Sequence, residues 1–81
     1  MLAKVYVTPK KAILDPQGKA IAKSLHTLDY TEVGDVRMGK YLEIRVHGLS
    51  RAQAEQRVAE MCRRLLANLV IEDFRFEIVE E

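Results

Sequence analysis

Val36-Arg37-Met38-Gly39-Lys40-Tyr41-Leu42-Glu43-Ile44-Arg45-Val46 is the stretch whose reading decides the fold. Val36, Met38, Leu42, Ile44 and Val46 take every even position except one, which holds Lys40. Successive side chains of a strand point to opposite faces. The apolar set therefore shares one face, and Arg37, Tyr41, Glu43 and Arg45 share the other. A hairpin turning on Gly39-Lys40 is the competing interpretation, because Gly-X suits a two-residue type II′ turn. Such a hairpin would set Met38 opposite Tyr41 and Val36 opposite Glu43, mixing the faces. The alternation survives only if the chain runs straight through, so the segment is expected as one long strand.

That length has a consequence. Eleven extended residues reach roughly 35 Å, whereas a compact chain of this size has a radius of gyration of about 12 Å and a diameter near 30 Å. One end of the strand should overhang its own domain and carry unpaired backbone groups, which invite pairing with another chain. Lys40 in an inward slot fits the same picture. A buried, unpaired ammonium is costly, so this is where the strand should leave its own core, with Gly39 allowing close backbone approach.

Outward from this strand the pattern is regular. Ala3, Val5 and Val7 alternate on a first strand over residues 2–8, which Pro9 ends because it lacks an N–H. Asp15 is a good N-cap and Pro16 suits the first helical position. Ile21, Leu25 and Leu28 then recur at helical spacing, beside Ala20 and Ala22. Gly18 in the first turn is unfavourable for a helix and points to a distorted start or to another backbone close by. Its free N–H groups could also receive an anion, although simple capping explains Asp15. After a turn around 29–34 and the long strand, Gly48 breaks the pattern. Ser50 and Gln53 match a capping box. Ala54, Val58, Met61 and Leu65, widened by Cys62 and Leu66, form the inner stripe of a second helix, with Asn68 as a left-handed terminator. Residues 70–79 make the last strand, with Phe74, Phe76 and Ile78 on one side and Arg75 and Glu77 on the other.

The expected fold is α+β, a two-layer sandwich of order β-α-β-α-β with a long central strand. Counted as two, that strand gives a β-α-β-β-α-β order related to the ferredoxin-like split unit. Two helices would cover one face of an antiparallel sheet, which dimerisation would extend. The 81 residues make a single domain, 1–81. Thirteen basic and twelve acidic residues leave a net charge of +1, which gives no field to hold a nucleic acid. One cysteine excludes an internal disulfide and fits a reducing compartment. The absence of a signal peptide or membrane-length apolar run points to a cytoplasmic chain with no membrane partner.

Catalytic signatures are missing. The four glycines are isolated, and no phosphate-binding loop can be written from them. His26 and His47 lack a second ligand nearby, so no metal site is expected. Cys62 lies in an apolar stripe, which favours an inert thiol over a nucleophile. Glu72-Asp73 has no facing partner for acid–base work and reads as a solvated strand entrance. Phe74 and Phe76 are better explained by core packing than by RNA stacking, since no basic residues interleave suitably.

Several blocks together resemble one family. They are Lys-Val-Tyr-Val-Thr at 4–8, Leu-Asp-Pro-Gln-Gly at 14–18, Val-Arg-Met-Gly-Lys-Tyr at 36–41, Met-Cys at 61–62, Leu-Leu-Ala-Asn at 65–68 and Ile-Glu-Asp-Phe-Arg-Phe-Glu at 71–77. In that order and spacing the chain is similar to the PurS family, small subunits of phosphoribosylformylglycinamidine synthase. It departs from the family at Leu69, where proline is frequent. The resemblance implies a non-catalytic subunit of an ATP- and glutamine-dependent ligase of purine biosynthesis. A glutaminase subunit and a large synthetase subunit would be its partners. ATP and magnesium would be used by the large subunit, with no cofactor in this chain. The small subunit would bridge the other two and support ammonia transfer, as a homodimer or, alone, a homotetramer. Asp15, Gln17, Gly18, Arg37, Gly39, Lys40 and Tyr41 are the expected partner-contact positions. The alternative is a ferredoxin-like module that senses a small molecule, and an RNA-binding sheet is a weaker third reading.

Overall fold

A computed structural model describes residues 1–81. The elements run β1 (Leu2–Pro9), α1 (Pro16–Thr27), β2 (Lys40–Arg45), α2 (Arg51–Met61), a π turn (Cys62–Leu66) and β3 (Glu72–Val79). The three strands form one antiparallel sheet in the order β2-β1-β3. β1 is central because its alternating Ala3, Val5 and Val7 can be buried while both of its edges are paired. Val5 stands opposite Leu42 on one side and Phe76 on the other, and Ala3 opposite Ile44 and Ile78. Cross-strand partners share a face, so these residues make one apolar layer. Ala54, Val58 and Cys62 of the second helix press onto it, and all three are fully buried.

The opposite face is polar and aromatic. Tyr6 and Tyr41 meet at 5.1 Å between ring centroids, and the Arg75 guanidinium lies 3.9 Å from the Tyr6 centroid. Arg45 and Glu81 pair at its margin, with Nη2 3.1 Å from Oε2.

Three expectations need correction. The long strand is paired as a strand only over Lys40–Arg45, with one further exchange between Val46 and Met1. No hairpin forms at Gly39-Lys40, and the chain runs through it. The ladder with β2 stops at the Val7–Lys40 pair, although β1 itself continues to Pro9 beside β3. The Met38 N–H is taken by the Asp15 carboxylate instead. Second, only α2 packs against the sheet. α1 stands clear of it, with Leu28 65% exposed and Ile21 also exposed. Third, Asn68 does not adopt the left-handed conformation. Ala67 turns to extended backbone to end the helix, and the Asn68 side chain accepts the Val70 N–H at 3.1 Å. The last strand accordingly begins at Glu72.

The π turn explains a fourth difference. Its i→i+5 bond, from the Ala67 N–H to the Cys62 carbonyl (3.0 Å), puts more residues into the turn than the 3.6 of an α-helix. Each side chain then lags behind its α-helical position. Leu66 arrives at the core edge where Leu65 was expected, and Leu65 is 82% exposed.

With α1 off the sheet, the molecule is elongated, 50 × 28 × 14 Å with a radius of gyration of 16.1 Å. A compact chain of this length would measure about 12 Å. Only 11 of 81 residues are buried, a small core for independent stability. No helix is long and apolar enough to cross a membrane.

Candidate functional site

The junction between the α1 arm and the sheet gathers four of the seven expected contact residues. Asp15 caps α1: its Oδ1 accepts the Gly18 N–H at 2.9 Å, while Oδ2 accepts the Met38 N–H at 2.6 Å. These two backbone donors hold the Asp15 carboxyl below the usual carboxylate range. Arg37 adds its Nε at 3.9 Å from Oδ2. Its remaining fork is spent on carbonyls, donating to Lys10 (2.8 Å), Ile13 (2.9 Å) and Lys11 (3.3 Å). Those three carbonyls belong to the loop before α1, so one planar guanidinium closes a loop that has no ladder of its own.

Two glycines complete the junction by close approach. Gly18 is buried against the Val36 carbonyl, where any Cβ would collide with that oxygen. A Cβ on Gly39 would lie 2.5 Å from the Val7 carbonyl oxygen. The Asp15-Pro16-Gln17-Gly18 start and the 36–39 segment are therefore crossed and locked.

The other three residues lie on the outside. Gln17 is exposed on α1. Lys40 opens β2 opposite Val7 and is exposed, although Val7 itself is fully buried. Tyr41 stacks on Tyr6, and its hydroxyl donates to Glu43 Oε2 at 2.9 Å. Desolvation, followed by the Glu43 contact, pushes its phenol up to about 12.

Beside this junction lies unfinished packing. α2 sits towards β3, which leaves Leu42 and Ile44 of β2 only half buried. The outer edges of β2 and β3 have no strand neighbour. Ile21 and Leu28 of the arm, with Leu14, Tyr30 and Met38 near it, are exposed. Such an arrangement offers a chain both an apolar surface and backbone hydrogen-bonding groups, the ingredients of protein association.

Small-molecule chemistry has less to work with. No three His, Cys, Asp or Glu side chains converge in a way that could hold a metal ion. Burial pushes the Cys62 thiol up, so it stays protonated. The His26 Nε2 is 2.6 Å from the Val33 carbonyl and clips the end of α1 to the following turn. That clip was not foreseen, since a seven-residue separation across an irregular turn leaves no periodic signal. Nor was the role of Arg37 as a carbonyl clamp, because outward alternation in a strand says nothing about a loop folding over it. Arg51 likewise ties the start of α2 to the end of β3, donating to the Ile78 carbonyl at 2.7 Å.

Comparison with known proteins gives this architecture a context. Residues 2–80 match the family model described as PurS, phosphoribosylformylglycinamidine (FGAM) synthase. The PurS subunit of that synthase from Bacillus subtilis is 51% identical over 77 residues, covering 95% of this chain and 90% of the relative. A crystal structure of Bacillus subtilis PurS superposes with a TM-score of 0.87 at 49% identity, covering 98% of each chain. A chain of the PurLQS structure from Thermotoga maritima superposes with a TM-score of 0.83 at 26% identity, covering 98% of this chain and 99% of that one. The matched order of elements runs from β1 to β3 without a gap in coverage, and on these grounds the chain belongs to the PurS family, the PurS subunit of FGAM synthase in purine biosynthesis.

Proposed function

We propose that this chain, as a single unit over 1–81, is a non-catalytic assembly subunit of cytoplasmic FGAM synthase. It works as a homodimer that bridges the glutaminase and synthetase subunits. The observation that carries this reading is the arm: α1 leaves its own sheet while the β2 flank of that sheet stays half covered. A second copy supplies what is missing, its arm lying over Leu42 and Ile44 and its backbone pairing with a free edge. Burying these apolar surfaces contributes roughly 25 cal/mol per Å² before the costs of association are subtracted.

In this reading the seven expected contact positions divide by role. Asp15, Gly18, Arg37 and Gly39 hold the arm at its angle, and Gln17, Lys40 and Tyr41 meet the neighbouring chains. The name PurLQS of the Thermotoga maritima structure supports assembly with two further components. Relatives that are synthase subunits favour assembly over the sensing of a small molecule.

The reaction chemistry then lies in the partners. The glutaminase releases ammonia from glutamine. The synthetase uses ATP and magnesium to activate the amide oxygen of formylglycinamide ribonucleotide, and ammonia displaces phosphate to give the amidine. This chain keeps the two centres in register so that ammonia is not lost to solvent. Reconstitution tests it: glutamine-driven amidine formation should require all three chains, while synthesis from added ammonium salt should not need this one. Equal glutamine-driven rates with and without the chain would refute the bridging role.

A further inference from the structure

The outer side of α2 carries a surface that neither the arm nor the sheet edge uses. Arg57, Glu60, Met61, Arg64 and Leu65 line a depression of about 340 Å³. In an unbroken α-helix Leu65 would lie in line with Val58 and Met61 and face the core. The π turn replaces it with Leu66 and sends Leu65 out beside Met61. Leu65 is the most exposed of the large apolar side chains, and π turns of this kind are frequent at functional positions. The apolar lining is Met61 and Leu65, and the charged lining is two arginines, Arg57 and Arg64, against one glutamate, Glu60. Arg57 takes part in none of the ion pairs of the chain, and Arg64 has only Glu60, at 3.4 Å and largely exposed.

We propose that this Arg57–Leu65 depression seats an apolar side chain flanked by carboxylates, presented by another subunit of the synthase. The inference rests on the assembly role proposed above and names a surface for it. Charge decides the occupant. With two arginines to one glutamate the patch is net positive, so a second copy meeting it about a two-fold axis would set one positive surface against another, and like charges at an interface are unfavourable. An acidic segment of a different chain satisfies both guanidiniums, with Met61 and Leu65 gripping its apolar residue. The volume suits one or two side chains rather than a whole helix.

The test uses the full chain with its two partner subunits. Leu65→Asp and the double variant Arg57→Glu/Arg64→Glu alter exposed side chains, so melting temperature and self-association should match the wild type. Binding to the partner subunits, measured by sedimentation or calorimetry, should weaken at least about tenfold. Raising salt from about 0.05 M to about 0.5 M should weaken wild-type binding more than binding of the double variant. Assembly of both variants at wild-type affinity would overturn the proposal. Loss of self-association in place of partner binding would overturn it too, by making the occupant a second copy. If the wild type itself fails to join either partner, the bridging role falls and this surface falls with it, a result distinct from a defect in the variants alone.

Discussion

At the scale of single residues, the arm depends on two groups that fit only because they are small or charged. A methyl on Gly18 would strike the Val36 carbonyl and come within 2.8 Å of Asp15 Oδ2. Backbone cannot yield as a flexible side chain does. Gly18→Ala is therefore expected to destabilise the chain by about 1–3 kcal/mol in urea unfolding, in the range of overpacked sites. Asp15 gives a pH signature. Its folded value lies below the unfolded value of about 4, so its contribution is complete above that pH and is lost as pH falls through the folded value. Asp15→Asn should consequently show a shallower fall in stability than the wild type below about pH 4. Parallel acid profiles for the two proteins would show that the Met38 and Gly18 donors do not favour the charged carboxylate.

Elements show where a local rule was sufficient and where it was overridden. The capping box of α2 forms as its residue types require, Ser50 Oγ accepting the Gln53 N–H and Gln53 Oε1 accepting the Ser50 N–H. At the other end of the helix the α-helical period fails, because the π turn exchanges Leu65 for Leu66. A direct comparison checks this. Leu65→Ala should change stability by no more than about 0.5 kcal/mol, as surface substitutions do. Leu66→Ala should cost about 1–2 kcal/mol, less than a fully buried leucine because its site is half open. An uninterrupted α-helix demands the reverse ranking. Sequence offers little warning of the exchange, since two adjacent leucines satisfy either register.

At the scale of the molecule, an elongated chain with a small buried core should gain stability from its neighbours. Lys40 stands at the exposed start of β2, where the free edge begins. Lys40→Glu should weaken self-association or partner assembly about tenfold while the monomer stays folded. Sedimentation profiles identical to wild type, alone and with both partners, would remove Lys40 from the interface. The even-position pattern from Val36 to Val46 does not account for the elongation, because only Lys40–Arg45 of it forms a strand and the extra length comes from α1. The arm itself was not legible, because the apolar spacing of Ile21, Leu25 and Leu28 is the same whether the helix packs on its own sheet or on another chain.

The sequence by itself determined the order of the elements, the apolar face of β1 and β3, the caps at Asp15 and Ser50, and the membership that the ordered blocks imply. Each of these follows from local periodicity or backbone preference, which act between residues close along the chain. Only the tertiary structure decided that α1 leaves the sheet, that Val36–Gly39 spends its hydrogen bonds on the arm, and that Leu65 faces outward. The first two turn on contacts between distant segments: Gly18 against Val36, Met38 against Asp15, Arg37 across three carbonyls. The third turns on the π-turn bond from Ala67 to Cys62. Such contacts compete with the local pattern by a few kcal/mol at most, and that difference appears only when the whole chain is in place.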